Sequence, residues 1–223
     1  MEKLAAIILM AGLSTRFGGP TNKQLCLLNA KPLFSYSIET FAKLNNIDKL
    51  VIAVNKENKE EVQKFLEKTG INAQIVLGGA TRQESVEHAL NVLKLSENDI
   101  VIIHDAARPL VDVFIINQVA KAAIEFGAST AYLPATDTIA IKDENDKVVK
   151  FIERKIIAQI QTPQAFKYGI LTKAHSLTNE KDATDDCSLV MKLGHEVKLV
   201  KGDKKFHKVT TSEDIQYLEG LLK

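Results

Sequence analysis

The stretch Met10-Ala11-Gly12-Leu13-Ser14-Thr15-Arg16-Phe17-Gly18-Gly19-Pro20-Thr21-Asn22-Lys23-Gln24 organises the chain. The apolar run Leu4–Met10 leads into it, and a helix-like segment follows from about Leu33. This pattern reads as a buried strand emptying into a glycine-rich loop that carries two cations. Glycines let main-chain N–H groups approach an anion, while Arg16 and Lys23 bring positive charge to the same place. The loop is a candidate polyphosphate cradle. Neither G-x-x-x-x-G-K-[ST] nor G-x-G-x-x-G is present, so it is not one of the two commonest phosphate motifs. An exposed glycine turn with ordinary surface cations fits the same residues, and the rest of the chain has to decide.

A chain of 223 residues suits one α/β domain better than two small ones, and 45% hydrophobic residues supply a core. Lys+Arg 29 against Asp+Glu 28 leaves a formal net charge of +1, so no basic field recommends a nucleic-acid partner. No apolar run approaches the roughly 20 residues of a membrane span, so no membrane partner is expected. Met1-Glu2-Lys3 enters the first strand without a signal-peptide pattern, which makes the expected location cytoplasmic. Cys26 and Cys187 lie far apart, with neither metal-ligand spacing nor a disulfide framework.

Strand-like and helix-like segments then alternate. This predicts an α/β fold: a mostly parallel, Rossmann-like sheet with helices on both faces. Strands are expected at Leu50–Val54, Gln74–Leu77, Ile100–Ile103, Ser129–Leu133, Ile156–Gln161 and Val197–Val200. Between them, helical faces are marked by Phe34, Ile38 and Phe41; by Val62, Phe65 and Leu66; by Val86, Ala89 and Leu90; and by Ile116, Val119 and Phe126. Later helices are expected over Ile170–Leu177, from Thr184-Asp185-Asp186 to Leu193, and from near Ser212. The alternation breaks once, where Thr138–Ile141 and Val148–Ile152 read as a hairpin turning through Asp143–Asp146. Such a hairpin projects as an arm, either as a decorative excursion or as a dimerisation element.

Polar clusters at Gly12–Lys23, Gly78–Ser85, Asp105–Arg108, Asp137–Thr138, Thr162–Gln164 and Lys208 mostly follow these strands. In a parallel sheet such positions share one edge, where open α/β folds bind ligands. Gly78-Gly79 and Ser85 suit a base or ribose pocket, or simply a tight turn. Asp105 could hold Mg²⁺ beside phosphate cations, or pair with Arg108 to shape its own loop. Arg108 could take a phosphate bidentately. Arg154 and Lys208 are each either solvated cations or ligands at this edge. His104 and Cys26 read as packed residues, and Asp185-Asp186 as a helix cap rather than a metal pair.

Together these blocks resemble the 2-C-methyl-D-erythritol 4-phosphate cytidylyltransferase family. The matching residues are Ala11-Gly12…Arg16…Asn22-Lys23-Gln24, Gly78-Gly79…Arg82-Gln83-Glu84-Ser85-Val86, His104-Asp105-Ala106-Ala107-Arg108-Pro109, Asp137-Thr138, Gln161-Thr162-Pro163-Gln164, Thr184-Asp185-Asp186 and Lys208-Val209-Thr210. They span nearly the whole chain, and the H-D-A-A-R-P and T-P-Q blocks in this order are highly specific.

The resemblance implies a Mg²⁺-dependent homodimer of one nucleotidyltransferase domain per chain (1–223), with a dimerisation arm at about 137–156. Its substrates would be CTP and a polyol phosphate. Arg16 and Lys23 would stabilise the transition state, and Ala11, Gly12, Gly79 and Ser85 would contact the nucleotide. Asp105, Arg108, Thr138, Arg154, Thr162 and Lys208 would hold the second substrate, with Arg154 and Lys208 on its phosphate and Thr138 and Arg154 serving the neighbouring subunit. Met10, Thr15, Ala80 and His207 depart from the family's usual residues. A ribitol 5-phosphate cytidylyltransferase is the nearest alternative, and Ala107, where that group often has valine, weighs against it. A molybdenum-cofactor nucleotidyltransferase shares the opening loop but not T-P-Q, the arm or Lys208. A non-catalytic nucleotide-binding regulator would not need Arg16, Lys23, Asp105 and Lys208 together.

Overall fold

The computed structural model describes residues 2–12, 23–178, 183 and 185–222. Arg16, Asn22, Thr184 and the glycines Gly18 and Gly19 lie outside the described residues. In chain order the elements are β1 (Leu4–Met10), β2 (Leu27–Leu28), β3 (Lys31–Pro32), α1 (Leu33–Ala42), β4 (Lys49–Val54), α2 (Lys56–Thr69), β5 (Gln74–Leu77), α3 (Arg82–Asn91), β6 (Ile100–Asp105), α4 (Val113–Phe126) and β7 (Ala128–Pro134). There follow β8 (Ile139–Lys142), β9 (Val148–Ile152), β10 (Ala158–Lys167), α5 (Tyr168–Leu177), α6 (Asp186–Lys192), β11 (Lys198–Lys201) and α7 (Ser212–Leu221).

Seven strands form one sheet in the order β11-β7-β10-β6-β1-β4-β5. All of its neighbouring pairs are parallel except those of β10, which runs antiparallel to both β6 and β7. The central strand is apolar throughout because both of its faces are covered. Ala6, Ile8 and Met10 pack with Phe34, Ile38 and Phe41 of α1, Val62 of α2 and Ile116 of α4. Ala5, Ile7 and Leu9 face the other way, onto Val86 of α3, Leu171 of α5 and Leu189 of α6. The expected strands and helices form, except that the strand expected at Ile156–Gln161 starts only at Ala158, after a helical turn over Arg154–Ile156. Among the described residues α1, α2 and α4 cover one face, α3, α5 and α6 the other, and α7 packs in a smaller cluster through Leu218.

Local chemistry sets the helix ends. Asn55, Thr81, Asp112 and Asp185 each accept a backbone N–H at the start of α2, α3, α4 and α6. Gly127, at φ 88°, ends α4 where a Cβ would be strained. Phe126 was expected on the buried face of α4 but is exposed, with the Lys198 ammonium 4.7 Å above its ring. A further correction concerns T-P-Q. It does not close a parallel strand; it lies inside β10, whose register with β7 shifts between Ile160 and Gln164. Antiparallel β10 therefore brings its middle, not its end, to the carboxyl ends of β1 and β6.

The hairpin β8–β9 forms as expected, paired outside the main sheet. Its side chains Ile141, Val148, Val149 and Phe151 are exposed, as is Ile156 just beyond it. No helix among the described residues is long and apolar enough to cross a membrane.

Candidate active site

The sheet order reverses at β1. Its chain successors β4 and β5 lie on one side and β6 on the other, so the crevice between the carboxyl ends of β1 and β6 is the fold's switch point. Ala11 and Gly12 leave β1 there, and Asp105 is the last residue of β6. Three loops are fitted against this point. A Cβ on Gly78 would stand 2.4 Å from the Cβ of Ala11, so glycine is what lets the β5–α3 turn touch the loop after β1. The N–H of Val209 donates to the Ala107 carbonyl at 2.8 Å, which ties the Lys208 segment to the loop after β6. Lys23 Nζ donates to the Val209 carbonyl at 3.2 Å, bringing the far end of the opening loop to the same place.

The Asp105 carboxylate is at the centre. Lys208 Nζ donates to one oxygen at 2.6 Å, and Arg82 Nε lies 3.5 Å from the other. Burial alone would raise the Asp105 carboxyl, but Lys208 and Arg82 outweigh it and hold the group far below the usual carboxylate range. Asp105 is ionised throughout the physiological range. The backbone N–H of Asp105 donates to Thr162 Oγ1 at 3.1 Å, so T-P-Q is fastened to H-D-A-A-R-P. The alternative reading, an Asp105–Arg108 structural pair, does not form as an ion pair; the two residues meet through the Arg108 N–H, which donates to the Asp105 carbonyl at 2.9 Å. Arg108 Nη1 donates instead to the Phe206 carbonyl at 2.7 Å, while its buried Nε has no partner among the described residues. Arg82, Asp105, Arg108, Thr162 and Lys208 line one cavity of about 660 Å³, together with the apolar side chains of Ile160, Met191, Val197 and Leu199, of which all but Val197 are exposed.

Asp105 does not fit the expected role of metal ligand, because both carboxylate oxygens face protein cations. Among the described residues no group of three or more His, Cys, Asp or Glu gathers as a metal site. The Gly79–Ser85 pocket is also more self-contained than its sequence suggests. The Gly79 N–H donates to Ser85 Oγ at 3.1 Å, and that hydroxyl donates to the Thr81 carbonyl at 2.9 Å. Ser85 is buried, so its side chain shapes the turn whose backbone faces the switch point.

Lys23, Asp105, Arg108, Thr162 and Lys208 are thus brought together as anticipated. Thr138 and Arg154 are not. Both are exposed on the arm side of the chain, where Arg154 Nη1 donates to the Thr136 carbonyl at 2.9 Å. Arg82, which the sequence motifs leave without a role, faces Asp105 through Nε at 3.5 Å. The available signal was its position directly after the strand-turn Gly78–Thr81, at the same sheet edge as the other cations.

Cations fixed around one ionised carboxylate at a parallel-sheet switch point suit the joining of two anionic reactants. The family model for 2-C-methyl-D-erythritol 4-phosphate cytidylyltransferase matches residues 4–223. A relative of that name from Bacillus cytotoxicus is 38% identical over 220 residues, covering 97% of this chain and 96% of the relative. Another, from Clostridium beijerinckii, is 38% identical over 224 residues, covering 99% and 98%. Among solved structures, the 4-diphosphocytidyl-2C-methyl-D-erythritol synthase of Anaerococcus prevotii gives a TM-score of 0.86 at 26% identity, covering 99% of this chain and 98% of that one. The Thermus thermophilus 2-C-methyl-D-erythritol 4-phosphate cytidylyltransferase gives 0.79 at 29% identity, with the same coverage. The chain belongs to the 2-C-methyl-D-erythritol 4-phosphate cytidylyltransferase family.

Proposed function

We propose that this protein joins CTP and 2-C-methyl-D-erythritol 4-phosphate to give 4-diphosphocytidyl-2-C-methyl-D-erythritol and pyrophosphate, a step of non-mevalonate isoprenoid synthesis. The observation that carries the reading is the Asp105–Lys208 ion pair beside Arg108 and Thr162 at the switch point, in a chain of this family. An acceptor phosphate oxygen attacks the α-phosphorus of CTP, and the bond to the β-phosphate breaks as pyrophosphate leaves. The acceptor is already a nucleophile at neutral pH, so no general base or covalent residue is needed. The barrier is repulsion between anions and charge growing at the α-phosphate, which fixed cations lower by orientation and electrostatic stabilisation.

In this reading Arg16 and Lys23 hold the triphosphate, and the backbones of Ala11, Gly12 and Gly79, with Ser85 behind them, seat the nucleotide. Lys208 and Arg108 attract the acceptor's phosphate region, while Asp105 and Thr162 receive its hydroxyls. Arg154 and Thr138 complete the neighbouring subunit's site, which the exposed apolar side chains of the arm support as a homodimer contact. Mg²⁺ belongs to the proposal with the triphosphate's own oxygens as ligands, since Asp105 is engaged elsewhere. EDTA should abolish turnover and added Mg²⁺ restore it.

The experiment is pyrophosphate release with CTP and Mg²⁺, comparing methylerythritol 4-phosphate with ribitol 5-phosphate. Turnover with the first alone is expected. Turnover with the second alone would keep the chemistry and overturn the pathway.

A further inference from the structure

Arg82 is the first residue of α3, and the positive end of a helix dipole disfavours a cation there. Its guanidinium is nevertheless four-fifths buried, because two carboxylates from different elements hold it. Nη1 donates to Asp186 Oδ2 at 2.6 Å, and Nε faces Asp105 Oδ1 at 3.5 Å. Asp186 is almost wholly buried at the start of α6, and its second oxygen lies 2.9 Å from His175 Nε2 on α5. The other ring nitrogen of His175 lies 3.4 Å from Glu87 on α3. The chain of contacts therefore leaves α3 at Arg82, crosses α6 and α5, and returns to α3 at Glu87. This closed circuit holds the guanidinium by Nη1 on the Asp186 side, while Nε faces Asp105 and the residue lines the cavity.

We infer that Arg82 is a positioning residue for the acceptor subsite: anchored on Asp186 and His175, it fixes the rotation of the Asp105 carboxylate. Lys208 alone holds one oxygen of Asp105 and leaves the carboxylate free to turn about that contact. The second contact at Oδ1 removes this freedom, so the acceptor's hydroxyls meet a carboxylate already in place. A lysine could carry the charge but could not hold both carboxylates in one geometry, because only a guanidinium presents donors along different edges of one rigid plane. The inference rests on the proposed reaction, with Asp105 as an acceptor ligand.

Steady-state kinetics of wild type, Arg82→Gln, Arg82→Lys and Asp186→Asn test it, with melting curves to establish folding. The KM for the polyol phosphate should rise about tenfold in both Arg82 variants, the scale of one lost charge-assisted contact, while the KM for CTP stays within about twofold. Asp186→Asn, which keeps the shape but drops the anchoring charge, should move the acceptor KM in the same direction by less. A general loss of structure would not separate the two substrates. Recovery of the acceptor KM in Arg82→Lys, or equal changes in both KM values, would overturn the inference. Should Arg82→Gln fail to fold, Arg82→Lys and Asp186→Asn decide alone. Failure of the wild type to turn over methylerythritol 4-phosphate would instead overturn the proposed reaction, a separate reading from the variant ratios.

Discussion

The hydroxyl of Thr162, on β10, stands 3.1 Å from Nδ1 of His104, on β6. The same oxygen accepts the Asp105 N–H, and His104 Nε2 lies 3.1 Å from the Arg108 carbonyl. A carbonyl can only accept, so Nε2 carries the proton and Nδ1 receives the threonine's. One neutral imidazole thereby connects the T-P-Q strand to both ends of the segment that displays Asp105 and Arg108.

Thr162→Val keeps the volume and removes this connection. Two buried groups, the Asp105 N–H and His104 Nδ1, would then lose a partner, at a cost of about 2–3 kcal/mol. Chemical denaturation should register that loss, and Thr162→Ser should restore most of it. The acceptor KM should rise in Thr162→Val as well, since Asp105 is displaced.

The buried ring also predicts a pH dependence. Burial holds His104 down to about 4, from an ordinary 6.5. Between those values the unfolded chain binds a proton that the folded chain refuses, so stability falls as the pH drops from about 6.5 towards 4. One proton over that window amounts to about 3 kcal/mol. Asp105 acts in a lower range, because its depressed carboxyl only loses stability below the ordinary carboxylate range. Denaturation free energies at pH 7, 6, 5 and 4.5 should therefore slope less in His104→Gln than in wild type. Parallel slopes would remove the assignment.

Much of this was legible in sequence because strands ending in polar clusters are a one-dimensional signal. Leu4–Met10 and Ile100–Ile103 announce buried strands, Asp105 closes the second of them, and Lys208 comes after the last strand. What stayed hidden depends on contacts between distant segments. Arg82 looks like an ordinary first-turn arginine until Asp186, 104 residues away, is seen against it. Asp186 in turn was legible as part of a helix start, and that reading concealed its second task. Reading T-P-Q as a strand terminus also followed the local pattern, since direction in a sheet is set by neighbours and not by sequence period.

A small hairpin that the sequence reading did not anticipate offers a stability test. Leu27–Leu28 and Lys31–Pro32 pair through a two-residue loop, Asn29-Ala30, with φ 46° and 60°. Such a turn needs positive φ at both positions, which favours Asn-Gly over Asn-Ala. Ala30→Gly should gain about 0.5 kcal/mol after the flexibility it adds to the unfolded chain, a rise of about 1–2 °C in Tm. Differential scanning calorimetry resolves a change of this size.

Lys23 and Arg16 carry the proposed charge stabilisation at the triphosphate. Replacing either by alanine should lower kcat at least ~100-fold, the scale of losing one preorganised charge contact. Near-normal turnover in both variants would withdraw those roles.

The arm yields the most direct test of how the site is completed. Lys208 contacts Asp105 within one chain, whereas Arg154 lies exposed beyond β9 and lines no part of that cavity. If arms cross between subunits, Lys208→Ala damages the site in its own chain and Arg154→Ala damages the site next door. A heterodimer of the two variants then has one site with both lesions and one with neither. Random mixing makes half of the dimers mixed, so the pool should regain about a quarter of wild-type activity from two inactive parents. Co-refolding the purified variants and measuring pyrophosphate release reads this out. An Ile156→Asp chain, with a charge on the exposed apolar base of the arm, should sediment as monomer and fail to complement. Absence of regained activity from variants that still co-sediment as dimers would place Arg154 outside the neighbouring site.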